Sequence, residues 1–246
     1  MVIVIPAYNS AHTLVRTFTS IPAGSYDEIV IVDDGSSDDT SDVARHLNAT
    51  VVAHAMNRGY GAAQKTGYRE ALKRNADIVV LLHGDNQYDP SYVPAFVKKI
   101  AGEGFDLVTG TRMILGDVLK EGMPVWKFIP NRFLTGLENL VFGSHITDYH
   151  NGFRAYSAKF LRQVPLGLLS DKFDFDTDII IQGIIRKYRI GEVAHPTRYS
   201  PENSQMSFSK GINYGLSVLR TVYLYLLHET GIKKQAIFSI NEETHQ

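Results

Sequence analysis

An aliphatic run from Ile78 to Leu82 stops abruptly at His83-Gly84-Asp85-Asn86-Gln87-Tyr88-Asp89-Pro90. The run is too short for a helix, and its unbroken aliphatic character suits a strand buried on both faces, as at the centre of a parallel sheet. Pro90 then opens a helix, with Asp89 as its expected N-cap. Between strand and helix, His83, Asp85, Gln87 and Asp89 occupy every second position. Ligands of open α/β sheets bind beyond the carboxyl ends of the strands, so chemistry is expected at this loop.

The same strand-loop-helix grammar recurs on either side. Val2–Ile5, Glu28–Asp33, Val51–Val52 and Asp106–Thr109 read as further strands; Ser10–Ser20, Asp39–Leu47, Gly59–Arg74 and Pro90–Ile100 read as helices, with Ser10 as a cap. This alternation predicts an α/β fold with a mostly parallel sheet flanked by helices. The pattern changes near Arg112: an aromatic-rich amphipathic segment spans Pro124–Phe142, followed by a strand at Gly152–Tyr156, a helix at Asp176–Lys187, a strand at Arg189–Ala194 and a final helix at Ser207–His228. A single domain over 1–230 is expected, with a nucleotide-binding half at 1–112, a substrate-specific half at 113–230 and a tail at 231–246; a chain of 246 residues, 44% hydrophobic, can bury one substantial core.

A formal net charge of −1 gives no general pull toward nucleic acid, so binding of phosphate must come from local arginines. The absence of cysteine excludes disulfides, thiolate metal sites and a cysteine nucleophile, and suits a cytoplasmic protein. Pro6 interrupts the apolar start, and Arg220 interrupts the apolar stretch 215–227, which falls short of the roughly 20 residues of a spanning helix. Tyr223, Leu224, Leu226 and Leu227, with Lys233 and Lys234 behind them, suit peripheral contact at a membrane face, or alternatively a core or homodimer seam.

Several residues invite a chemical reading beside a structural one. Asp33 and Asp34 either shape a turn or accept a hydrogen bond from a base or ribose, a pyrimidine N3–H being one partner. Asp85 and Gln87 offer hard oxygens suited to Mg2+ or Mn2+, while His83 either ligates Mn2+ or supports from behind. Asn57-Arg58-Gly59-Tyr60-Gly61 precedes a helix whose free N–H groups would favour an anion, although close helix packing explains Gly61 equally well. Arg112, Arg154 and Arg198 are placed to stabilise diphosphate charge. Asp174, Asp176 and Asp178 either cap the following helix or include a general base.

Taken in order, Val4-Ile-Pro-Ala-Tyr-Asn9, Ile31-Val-Asp-Asp-Gly-Ser36, Asn57-Arg-Gly-Tyr-Gly-Ala62, His83-Gly-Asp-Asn-Gln87, Gly110-Thr-Arg112, Asn151-Gly-Phe-Arg154 and Phe175-Asp-Thr-Asp178 resemble family 2 glycosyltransferases, in particular the dolichyl-phosphate mannose and glucose synthase-like branch. The resemblance implies the GT-A fold, a nucleotide-diphosphate sugar donor, Mg2+ or Mn2+, and inversion at the anomeric carbon. It implies a donor site drawn from Pro6, Ala7, Tyr8, Asn9, Asp33, Asp34, Arg58, Gly61, Lys65, Gly84, Asp85, Asn86 and Arg154. Metal ligation falls to Asp85 and Gln87 with His83, and catalysis to Asp178, Arg112 and Arg198. The acceptor is either a polyprenyl phosphate or a hydroxyl. His83 stands where the family's Asp-x-Asp has its first acid, and Asp178 where relatives frequently have Glu. A nucleotidyltransferase would want a Gly-x-Gly-x-Arg loop after the first strand, and Pro6-Ala7-Tyr8-Asn9 is not that; a sugar-nucleotide-binding protein without catalysis is the other rival.

Overall fold

A computed structural model of the chain describes residues 1–116, 118–197, 199 and 207–240. Arg198, expected at the catalytic centre, lies outside the described residues, as does the end of the tail at 241–246.

Seven strands form one sheet: β1 (Val2–Ala7), β2 (Glu28–Asp33), β3 (Thr50–Ala53), β4 (Ile78–Leu81), β5 (Leu107–Thr111), β6 (Arg154–Ser157) and β7 (Ile190–Ala194), in the order β3-β2-β1-β4-β6-β5-β7. β4 is the middle strand, as its aliphatic run predicts. β1 pairs in parallel with β2 and β4, β2 with β3, and β5 with β7, while β6 runs antiparallel between β4 and β5. The carboxyl ends of β1, β2, β4 and β5 therefore share one edge with the start of β6. The fold is GT-A.

The period-two alternation of the strands divides the core into two layers. Val2, Val4, Val30, Val32, Val79 and Leu81 face one side, packing with Tyr68, Phe160 and Phe175. These come from α3 (Tyr60–Lys73), α6 (Ala158–Gln163) and α7 (Phe175–Ile185). Ile3, Ile5, Ile29, Ile31, Val80 and Leu82 face the other, against Leu14, Ala44 and Phe96. Those belong to α1 (Ala11–Thr19), α2 (Thr40–Arg45) and α4 (Val93–Ala101). Each such buried aliphatic contributes about 1.5–3 kcal/mol, so the two layers together fix the strand register.

A third cluster joins α5 (Val125–Phe142), α7 and α8 (Phe208–Glu229) through Phe142, Ile180, Ile181 and Val222. Phe238, in the tail, is buried in that cluster and anchors a short 3-10 turn at Ala236–Phe238. Capping follows expectation in part. Asp89 accepts from Ser91 N at 3.0 Å, but Ser10 makes no side-chain cap and instead donates to Tyr8 O at 3.1 Å.

Candidate active site

The edge formed by the strand ends opens into a cleft of about 680 Å3. One wall carries Pro6, Ala7 and Tyr8 from the end of β1, Asp34 after β2, and His83, Gly84, Asp85 and Gln87 after β4. Asp34 and Asp85, both in the donor site that the resemblance implies, therefore line one cleft. The opposite wall is contributed by α5 and α8, with Trp126, Phe133, Leu134, Phe208, Ile212 and Leu216, and is chiefly apolar. Arg112, Lys127, His150, Lys210 and Tyr214 line the cleft near that wall, and Asp176 lines it as well.

Asp34 is held rigidly. Its Oδ1 accepts from Arg58 N (2.9 Å) and stands 2.6 Å from His54 Nδ1, while Oδ2 accepts from Gly59 N (2.9 Å). His54 Nε2 in turn meets Thr66 Oγ1 at 2.9 Å. A carboxylate has about four lone-pair sites, so this clamp leaves room on Oδ2 for one further donor. Asp33 differs: its Oδ1 accepts from Ser36 N and Ser36 Oγ, so it shapes the turn and does not line the cleft. Asn9 also works between loops, its Oδ1 accepting from Ser37 N at 2.9 Å and its N–H donating to Ser36 Oγ.

The loop after β4 turns through Asn86 in the left-handed region (φ 56°), and Gln87 N donates to Asp85 Oδ1 at 3.0 Å. Asn86 itself is buried rather than cleft-lining. The Asp85 carboxylate and Gln87 amide are hard oxygen donors and fit Mg2+ or Mn2+. Among the described residues no group of three or more His, Cys, Asp or Glu could hold a metal alone, so the remaining donors must come from phosphate oxygens and water.

His83 is engaged elsewhere. Its Nε2 lies 3.1 Å from the Tyr60 hydroxyl, which donates to Asp176 Oδ2 at 3.0 Å. A phenol has one proton to give, so His83 Nε2–H must be the donor to Tyr60. The imidazole is neutral: burial, with the charge of Arg154 second, lowers its pKa to about 3. Gly152 makes this arrangement possible, since a Cβ there would collide with the His83 ring and come within 2.8 Å of the Tyr60 hydroxyl. Phe173 stacks on Tyr60 with ring centroids 5.0 Å apart.

Asp176 has its pKa raised by burial, against the opposing influence of Arg154 and the Tyr60 hydrogen bond. Asp178, expected as the base, is elsewhere: it does not line the cleft, and its Oδ2 accepts from Ser170 N at 2.9 Å. Both acids lie in the first turn of α7. Residues two apart on a helix point about 200° away from each other, so only one can face the cleft, and it is Asp176.

Arg112 sits in a fork with Asp148, Nε to Oδ2 at 2.7 Å and Nη2 to Oδ1 at 3.0 Å; Nη2 also donates to His150 O and Nη1 to Tyr199 Oη. Burial would raise the Asp148 pKa, but the guanidinium charge and its hydrogen bonds hold it down at about 2. Of the five guanidinium N–H groups, one on Nη1 is left over among the described residues. Lys127 has its pKa lowered by partial burial and by the Arg112 charge, so two cations face the same region.

Four other expected donor contacts are corrected by their burial or partners. Arg154 is wholly buried, donating to the carbonyls of Asn151, Tyr149 and Asp176, and it braces the site from behind. Lys65 is buried against Leu169 O and Asp171 Oδ1. At the N-terminus of α3, Gly61 N and Ala62 N both donate to Asp171 O, so those amides hold a loop in place of an anion; a Cβ at Gly61 would meet Ser170 O and Phe175. Arg58 contributes its backbone N–H to Asp34, and its side chain does not line the cleft.

Sequence reading missed His54, Tyr60, Asp148, Lys127 and Tyr214. Asp148-Tyr149-His150 in a polar loop carries no spacing that distinguishes it, and Tyr60 reads as a helix-opening residue.

Comparison with known proteins agrees with this architecture. The family model described as glycosyl transferase family 2 matches residues 2–164. An uncharacterized protein of Methanocaldococcus jannaschii is 33% identical over 211 residues, 86% of this chain and 85% of that one. The UDP-N-acetylglucosamine–dolichyl-phosphate N-acetylglucosaminyltransferase of Methanococcus voltae is 29% identical over 228 residues, covering 86% and 89%. Among solved structures, glucosyl-3-phosphoglycerate synthase of Mycobacterium tuberculosis superimposes with a TM-score of 0.72 at 23% identity, over 94% of this chain and 80% of that one. That enzyme has also been solved with Mn2+, UDP-glucose and phosphoglyceric acid. The chain is a glycosyltransferase and belongs to glycosyl transferase family 2.

Proposed function

We propose that this glycosyltransferase moves a sugar from a nucleotide-diphosphate donor to a polyprenyl phosphate, with inversion at the anomeric carbon and with Mg2+ or Mn2+ required. The observation that carries the acceptor is the juxtaposition of Arg112, Lys127 and Lys210 with the apolar wall of α5 and α8. Cations suit a phosphate head and the apolar wall suits an isoprenoid chain. The Methanococcus voltae relative, named for a dolichyl-phosphate acceptor, supports the same choice.

The nucleoside lies against Pro6, Ala7 and Tyr8, with the remaining acceptor site on Asp34 Oδ2 taking an N–H of the base or a ribose hydroxyl. Asp85 and Gln87 hold the cation, which when bound supplies Lewis-acid neutralisation of the diphosphate. Arg112, kept in orientation by Asp148, offers its remaining Nη1–H to phosphate. The acceptor phosphate is already ionised, so it attacks without a base, from the face opposite the leaving diphosphate. On this reading Asp176, oriented by Tyr60, accepts hydrogen bonds from sugar hydroxyls and removes no proton.

One observation favours a second reading. A cleft-facing carboxyl with a raised pKa is what a general base for a hydroxyl acceptor needs. The two are separated by supplying a panel of nucleotide-diphosphate sugars with Mn2+ and either a polyprenyl phosphate or the corresponding free alcohol. Release of nucleoside diphosphate with the phosphate alone supports the proposal; turnover with the alcohol alone refutes it.

A further inference from the structure

The loop that leads into α7 is pinned to its surroundings along its length. Asp171 O accepts from Gly61 N and Ala62 N, Lys65 Nζ donates to Leu169 O, Ser170 N donates to Asp178 Oδ2 and Ser170 Oγ to Asp174 Oδ1. A Cβ at Gly59 would stand 2.4 Å from Asp171 O, and one at Gly61 2.4 Å from Ser170 O, so the loop and the start of α3 are in backbone contact. Of the described loop residues 170–174, only Phe173 lines the cleft. Its ring is 40% exposed and rests on Tyr60 with the two planes 26° apart. A rigid loop thus holds one uncovered aromatic ring inside the cleft, which is the way ligand sites present apolar surface.

Tyr60 ties this ring to Asp176. Its face carries Phe173, and its hydroxyl donates to Asp176 Oδ2 while accepting from His83 Nε2, so one side chain orients both the phenyl ring and the carboxylate. Along the sheet edge, Asp34 follows β2, Asp85 and Gln87 follow β4, and Gly152, which packs on His83, precedes β6. Arg154 of β6 donates to Asp176 O. Asp176 therefore lies past the Asp85 loop as seen from Asp34, where the sugar of a donor extends once its nucleoside and diphosphate are in place. We infer that Phe173 is the platform for the transferred sugar: its ring takes the C–H face of a neutral hexopyranose while Asp176 accepts from the hydroxyls. The inference rests on the nucleotide-diphosphate sugar donor proposed above and gives that donor its sugar subsite and class of sugar.

Two features select that class. First, a pyranose has a face of C–H bonds and an edge of hydroxyls, which matches a flat apolar ring set beside a carboxylate. Second, the donors described at this end of the cleft are already engaged. His83 Nε2–H goes to Tyr60, the Tyr60 hydroxyl to Asp176, Lys65 to Leu169 O and Asp171 Oδ1, and the wholly buried Arg154 to backbone carbonyls. Asp176 Oδ1 is buried 3.3 Å from Arg154 Nη1, whereas Oδ2 keeps lone-pair capacity beyond the bond from Tyr60. What this end offers is an acceptor. Sugar hydroxyls satisfy it, while the carboxylate of a hexuronate would meet a second carboxyl with no donor between them.

Calorimetry on the full chain with Mn2+ and no acceptor tests this, comparing UDP-glucose, UDP-N-acetylglucosamine and GDP-mannose with free UDP and GDP. Phe173→Ala should melt close to the parent and bind the free nucleoside diphosphate equally well, yet lose about five- to tenfold in affinity for the nucleotide sugar that the parent binds best. Phe173→Leu still covers Tyr60 and should show the same selective loss, whereas Phe173→Tyr keeps the ring and should bind as the parent does. The hexuronate carrying the same nucleotide should bind the parent about tenfold or more weakly than the neutral sugar. An equal loss for free diphosphate and nucleotide sugar would put the ring against the nucleoside and overturn the proposal. So would no loss with either ligand, a Phe173→Tyr as weak as Phe173→Ala, or a hexuronate bound as tightly as the neutral sugar. A parent that binds nucleoside diphosphate but no nucleotide sugar would refute the donor reading and the platform together. Turnover with a free alcohol in place of polyprenyl phosphate, alongside the selective loss, would refute the acceptor reading alone and leave the platform standing.

Discussion

Replacing Asp178 by Asn should make the protein more stable at alkaline pH and leave its cleft intact. Burial pushes the Asp178 pKa up to about 7; Asp174 adds to the rise, while Ser170 N–H, Lys65 and Arg220 oppose it. From a reference of 3.8 the rise is about 3 units, and one unit corresponds to about 1.4 kcal/mol. A folded pKa above the unfolded one means that the folded state keeps the proton longer. Stability from this group is therefore fully present below about pH 4 and is lost as pH rises through about 7. Above pH 8 the ionised carboxylate costs on the order of 4 kcal/mol. The Asn amide oxygen can still accept from Ser170 N but does not ionise.

Urea denaturation followed by far-UV circular dichroism from pH 4 to 8.5 should show the two proteins converging at the acid end and the variant ahead at the alkaline end. The gain at pH 8 should be about 2–4 kcal/mol, or on the order of 10 °C in melting temperature. Turnover at neutral pH should stay close to that of the parent. Stability curves that run parallel across this range, or loss of turnover with unchanged folding, would show that the carboxylate is not the buried group outside the cleft described above.

Asp176→Asn should leave binding of the nucleoside diphosphate intact; turnover falling by about a thousandfold would mark Asp176 as a base for a hydroxyl acceptor, whereas a loss of about tenfold or less fits the phosphate acceptor. Arg112→Lys breaks the fork with Asp148 and should lower kcat/KM by about a hundredfold, with part of the loss in acceptor KM, as steady-state kinetics will show. Asp85→Ala should abolish the extra thermal stabilisation that Mn2+ gives in the presence of UDP, read by differential scanning fluorimetry. His54→Ala removes one of three clamps on Asp34 and should weaken nucleoside diphosphate binding by about five- to tenfold, measured by calorimetry.

The elements that the chain declares most plainly are those whose signal is local. Ile78 to Leu82 could be placed at the sheet centre because unbroken aliphatics leave no polar face to expose, and Asp89-Pro90 opens its helix because the cap needs only nearby atoms. His83, Asp85 and Gln87 line one cleft, but so do Gly84 and Tyr88 while Asp89 does not, because the loop turns at Asn86 and is not an extended, alternating strand. At Asp174-Phe175-Asp176-Thr177-Asp178 the residues left the choice of acid open, and the resemblance pointed to Asp178. Alternation puts side chains together on a strand, but the segment is helical from Phe175, and the acids diverge.

What the sequence by itself determined, then, is the α/β alternation, the family and the loops that line the cleft, since each depends on residues within a few positions of one another. Tertiary structure decided the rest. It chose Asp176 over Asp178, turned Lys65, Arg154 and the α3 amides into internal braces, paired Arg112 with Asp148 and Asp34 with His54, and set the apolar wall of α5 and α8 over the strand ends. Those pairings join segments far apart in the chain, and no spacing rule reports them, because whether a charged group faces a substrate or a carbonyl is settled only when distant elements pack.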